Sequence, residues 1–263
     1  MATAITELRV AWRPLAIPNE HGGWGFLLEP LLLGFAVAPS HAGAAVIVAM
    51  VAAFFARHPL RLAVRDWTLG RQYPRTRACT WLAIAYGVPA IVALLAAIAL
   101  SSPTLLIPFA LALPLVLVQF TYDVRNSGRE LVAEVCGAAA AAAGGAACVV
   151  AGGGDARMAL LVAGLGVCRA VPTVIYVRSL LRRDGFGSSL LLHALAVGGA
   201  GVLGRVASVP ALVLIAPVAL LIRAAVAPLR PIPAARRVGI EEVIWGIATT
   251  IVLAVAIGRV VHP

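Results

Sequence analysis

Nine apolar stretches follow one another along this chain, and the loops between them are too short to fold independently. They run about 22–38, 42–55, 79–100, 104–121, 131–151, 158–181, 188–203, 209–226 and 241–260. A stretch of about 20 apolar residues matches the hydrocarbon layer of a bilayer. In that layer a helix is the simplest fold that satisfies its own backbone. Hydrophobic residues make up 62 % of the chain and charged residues 12 %, against roughly 25 % charged in soluble domains. Mean hydropathy is +0.98. The expectation is an all-α polytopic protein of the cell membrane, a bundle of about nine transmembrane helices. It forms a single domain over 1–263, with a short cytoplasmic lead at 1–21. The first stretch contains Glu29 and Pro30, so it reads as a retained span rather than a cleaved leader.

All 21 basic residues are arginine, and the net charge is +10. No RNA-binding motif interleaves them, so the charge points to the bilayer surface and away from nucleic acid. If the N-terminus is cytoplasmic, the inside segments hold 17 arginines and the outside segments Arg157, Arg205 and Arg259. That asymmetry places the N-terminus inside and the C-terminus outside. Cys79, Cys136, Cys148 and Cys168 lie in or beside apolar runs without metal-ligand spacing and read as small core residues. Neither a metal nor a cofactor is implied. The run GAAAAAAGGAA in the fifth stretch lacks side-chain bulk, so neighbouring helices can approach it closely.

Charge is patterned as well as biased. Arg57, Arg61 and Arg65 recur every fourth residue, which puts them on one face of a helix unless Pro59 kinks it. Arg178 and Arg182 repeat the spacing near the end of the sixth stretch. Such faces, with His58, bind phosphate or carboxylate through guanidinium forks. The competing reading is anchoring, with the side chains reaching lipid phosphates. Arg169 lies at mid-span, where a permanent charge is costly, and must face a partner or a wet cavity. Glu29 is the reciprocal case, so either the two pair or both line a cavity, with Tyr122, Tyr176 and Arg125 toward its mouth. His21, Asp66 and Asp123 are the candidates for proton transfer. Asp66, Asp123, Glu130 and Glu134 serve equally as partners for the neighbouring arginines.

The opening PNEHGGWGFLLEPLLLGF, the segment FFARHPLRL and the segment YDVRNSGRELVAE resemble the YwiC-like family of bacterial membrane proteins. The layout of nine spans, with distinctive loops after the second and sixth, also resembles the UbiA superfamily of intramembrane prenyltransferases. In that superfamily N-x-x-x-D-x-x-x-D and D-x-x-x-D carboxylates hold magnesium against an isoprenoid diphosphate. Here the matching positions are Arg57, Arg61 and Arg65, then Arg178 and Arg182. The spacing is kept and the charge inverted, so these faces suit an oxyanion directly and not a divalent cation.

Together these features point to a UbiA-like protein that binds a lipid with an anionic head, of the isoprenoid phosphate class. If it is catalytic, it is a metal-independent prenyltransferase-like enzyme whose arginines stabilise a leaving diphosphate. Two alternatives remain open: a transporter of a small anion or anionic lipid, and a non-catalytic membrane subunit.

Overall fold

The computed structural model describes residues 12–17, 23–231 and 233–261, and among them there is no strand. A single turn, α1 (Arg13–Ala16), precedes α2 (Gly23–Val37), α3 (His41–Thr68) and α4 (Pro74–Leu100). A 3-10 turn at Pro103–Leu106 leads into α5 (Ile107–Val124), followed by α6 (Leu131–Ala151), α7 (Ala156–Arg182) and α8 (Phe186–Val206). Helix α9 (Ile215–Val226) lies between 3-10 turns at Ala211–Leu214 and Ala227–Leu229, and α10 (Ala235–Val261) follows. Eight of these helices are long and apolar enough to cross a membrane, with α5 and α9 taken together with their turns. The protein is therefore a multi-pass helical membrane protein. Helix α2 is the exception: 15 residues reach about 22 Å, short of the roughly 30 Å hydrocarbon layer.

Short polar residues set the helix boundaries. Ser40 Oγ accepts the Gly43 amide at 2.9 Å and starts α3. Asp155, closing the glycine turn 152–154, accepts the Met158 amide at 2.8 Å and starts α7. Helix α7 ends at Arg183 in the left-handed region, φ 59°. The Arg183 guanidinium holds that turn in place by donating to the carbonyls of Arg230 (2.8 Å) and Pro228 (2.9 Å).

Three helices extend beyond the apolar stretches. Helix α3 does not stop near Phe55 but carries the arginine stretch to Thr68, and α4 begins at Pro74 inside the expected loop. Helix α10 likewise starts at Ala235 rather than 241. The extensions persist because their charges are answered across helices: Asp66 of α3 accepts Arg75 and Thr76 of α4. Pro59 is tolerated inside α3, and Arg57 and Arg61 on either side of it reach the same carboxylate.

Packing centres on α6, whose alanines and glycines are buried almost throughout. A methyl group on Gly34 of α2 would drive into the Gly145 carbonyl, and one on Gly145 into the Pro30 carbonyl. On α7, Gly166 likewise faces Ala142 of α6. With lipid outside, this close approach and its dispersion contacts hold helices together. Helix α2 thus lies between two cores. Leu27 and Leu31 pack with Val46, Leu105 and Cys148 on one side. Leu33 and Val37 pack with Leu161, Leu165, Leu253 and Ile257 on the other. The outer faces of α4 and α5 carry exposed Ile84, Ile91, Leu95, Leu111 and Leu117, as lipid-facing helices do.

Gly145→Ala is expected to lower stability by about 1–3 kcal/mol through overpacking against the Pro30 backbone. Gly87→Ala, in open space on α4, should stabilise by about 0.5–1 kcal/mol. Thermal unfolding of the two variants in detergent checks the contrast.

Candidate functional site

Arg169 is the central residue of α7, about 20 Å from either end of the helix. It is buried, at 7 % exposure. Its Nε lies 3.2 Å from Oε2 of Glu29 on α2, so the pair raised by the sequence is formed. Its other nitrogens meet Thr173 one turn on, and Oε2 of Glu242 on α10 at 3.3 Å. Glu242 also accepts from Arg223 of α9, at 2.8 Å through Oε1 and 3.4 Å through Oε2. The Arg223 guanidinium is buried against aromatic faces, 4.1 Å above the Tyr176 ring and 5.1 Å from Trp245. Two guanidinium groups and two carboxylates from four helices thus form one charge-balanced network.

The network opens on one side. Between α2, α7 and α10 lies a narrow, partly open crevice with a cavity volume of about 20 Å³. Phe26, Leu33, Leu165 and Leu253 form apolar walls, and Glu29, Arg169, Thr249 and Thr250 supply the polar groups. Thr249 donates to carbonyls of its own helix and keeps acceptor capacity. Gly246 makes room for Glu29, since a side chain there would collide with Oε1.

The arginine stretches answer to different carboxylates. Asp123, at the end of α5, accepts Arg57 Nε at 2.8 Å and lies 3.7 Å from Arg61. Arg61 also meets His58, whose Nε2 is 3.1 Å from the Pro14 carbonyl. Arg65 lies within electrostatic reach of Asp66, which is itself clasped by Arg75 at 3.0 Å and Thr76 at 2.7 Å. Arg178 donates to Glu134 at 2.6 Å and to the Arg129 carbonyl, while Arg182 is exposed. Tyr122 is half-buried and Arg125 exposed, and neither lines the crevice. Tyr176 is buried, with its hydroxyl accepting from Arg230 at 3.1 Å. Arg230 also clasps Glu241 at 2.7 Å. His21 lies outside the described residues.

Sequence reasoning missed Arg223, Glu242 and His193. Arg223 reads as one more loop arginine, although five apolar residues precede it and four follow. Glu242 reads as the polar start of a span whose helix begins seven residues earlier. His193 of α8 is buried edge-on to Tyr176, their ring centres 6.2 Å apart.

Removing one partner of a buried ion pair leaves the other uncompensated, at a cost of about 3–5 kcal/mol. Glu242→Gln strands Arg223, leaves Arg169 with Glu29 alone, and should fall in that range. Glu29→Gln strands one that retains Glu242 and should cost about half as much. Thermal unfolding of both variants tests the order.

Neither a curated protein nor a solved structure matches this chain. The family model described as YwiC-like protein matches residues 17–149, just over half of the sequence. It covers the FFARHPLRL and YDVRNSGRELVAE segments and helices α2 to α5 with most of α6. The chain belongs to the YwiC-like family.

Proposed function

We propose that this protein binds a membrane-soluble lipid with an anionic head, seating the head at Arg169 and the tail in the crevice between α2, α7 and α10. The observation that carries this reading is the crevice itself: apolar along its walls, charged at one place, and within the spanning part of the bundle. A water-soluble ion gains nothing from Phe26, Leu33, Leu165 and Leu253. A lipid tail loses little on leaving the bilayer for them. An ionisable residue at this depth is a mark of function in membrane proteins. An isoprenoid phosphate has the required chemistry, in line with the resemblance of the two basic stretches to the UbiA arrangement.

In this reading the N-terminus is cytoplasmic. The basic ends of α3, α5 and α7 then face the inner leaflet and raise the local concentration of anionic heads. Arg57, His58, Arg61, Arg65, Arg178 and Arg182 work there as a collecting surface, braced by Asp123, Asp66 and Glu134.

The test is thermal unfolding of the purified protein in mild detergent with EDTA, adding farnesyl phosphate or inorganic phosphate. At a hundredfold excess over Kd a bound ligand stabilises by about 2.7 kcal/mol. Farnesyl phosphate should raise the midpoint and inorganic phosphate should not. Thr250→Phe, which blocks the crevice from a half-buried position, should erase the shift, read against the variant's own unliganded midpoint. A shift that survives Thr250→Phe, or one matched by inorganic phosphate, sinks the proposal.

A further inference from the structure

We infer that an anionic head binds at Arg169 together with one proton, which Glu29 takes up as it yields its place on the guanidinium. This rests on the lipid-binding reading and adds its coupling. The argument begins with charge. Arg169 and Arg223 are already balanced by Glu29 and Glu242. A further negative charge entering that network would be buried without compensation, which low-dielectric surroundings penalise heavily. Neutrality is restored when one carboxylate becomes a carboxylic acid.

Geometry selects which one. Glu242 holds both guanidiniums, with a contact of 2.8 Å to Arg223, and is not among the groups lining the crevice. Glu29 lines the crevice and holds Arg169 alone, at 3.2 Å. That contact is oriented so that the buried Arg169 Nε–H makes no hydrogen bond, leaving a donor for a ligand oxygen. Gly246 of α10 lies flat against Glu29 Oε1, so the carboxyl keeps room after it gives up the pair.

Among the described residues, the charged and titratable groups around Glu29 are few. They are Arg169 of α7, Glu242 of α10 and Arg223 of α9, with His193 of α8 beyond Tyr176. The face of α6 against α2 brings alanine and glycine, and that of α3 brings Val46 and Met50. In the binding step a proton from water bonds to a Glu29 carboxylate oxygen. The ion pair with Arg169 is replaced by one between Arg169 and the ligand, and no bond in the ligand breaks.

The sign follows from linkage. Binding that takes up a proton strengthens as pH falls, by up to about tenfold per unit while Glu29 is ionised in the free protein. The probe is decanesulfonate, whose head stays ionised throughout, with decanol and ethanesulfonate as head-less and tail-less comparisons. Titration of the purified chain in weakly buffered mild detergent with a pH indicator should show uptake of about one proton per decanesulfonate bound. Its affinity should rise between pH 8 and pH 6. Glu29→Gln, already neutral, should bind decanesulfonate without proton uptake and with a flat pH profile. If that variant does not fold, the wild-type proton count and pH profile decide. Decanesulfonate binding with no proton uptake overturns the coupling and leaves the lipid site standing. Binding of decanol but not decanesulfonate, or of ethanesulfonate equally well, overturns both.

Discussion

A guanidinium at the middle of a spanning helix constrains everything around it. Arg169 cannot lose its charge and cannot reach either surface from about 20 Å away. The fold must therefore bring carboxylates to it, and it brings two, from α2 and α10. Those helices lie far apart in the chain, so the ion pairs tie the first half of the bundle to the last. Helix α2 serves this role because its backbone packs directly on that of α6. Gly34 and the Gly144–Gly145 pair let its backbone approach that of α6, which sets Glu29 at the depth of Arg169. The small-residue contact and the ion pair are thus one device: packing fixes the depth, and charge fixes the partner.

The membrane bundle was legible in the sequence because its cause is local. Runs of apolar residues about 20 long have few alternatives, and the bulk-free stretch of α6 declares close packing from composition alone. Glu29 and Arg169 were legible as well, since a charge inside an apolar run stands out. The rest of the site was not. Arg223 and Glu242 lie near helix ends, where charges are ordinary, and become part of the network only because α9 and α10 meet α7. Helix ends were misjudged for a related reason. Apolar content stops at Phe55, but the helix continues to Thr68 because Asp123 of α5 answers Arg57 and Arg75 of α4 answers Asp66. No local rule contains a partner 66 residues away.

The arginine-rich end shows how a bias of charge can also be structural. Asp123 is buried at the end of α5 and binds Arg57 of α3, Glu134 of α6 binds Arg178 of α7, and Asp66 of α3 binds Arg75 of α4. Each pair joins two helices where the apolar packing gives out. Exposed pairs contribute little, about 0–1 kcal/mol. Here the carboxylates of Asp66 and Asp123 are buried and hydrogen-bonded, so their loss removes a charge-assisted contact at a helix–helix joint. The arginines that make the bias also brace the helices.

The crevice and the network constrain each other. Apolar walls favour a ligand that partitions into the bilayer, and Arg169 favours an anionic head, yet the network is already neutral. These three demands are compatible only if something neutral in total enters. A lipid anion with its proton meets that condition. The same amphiphile entering as a bare anion does not, because its charge would then be the only unbalanced one in the network. In the proposed coupling, Glu29 is the group that lets the condition be met on the protein rather than on the ligand. It alone of the four charged residues touches Arg169, lines the crevice and faces a glycine that leaves it space.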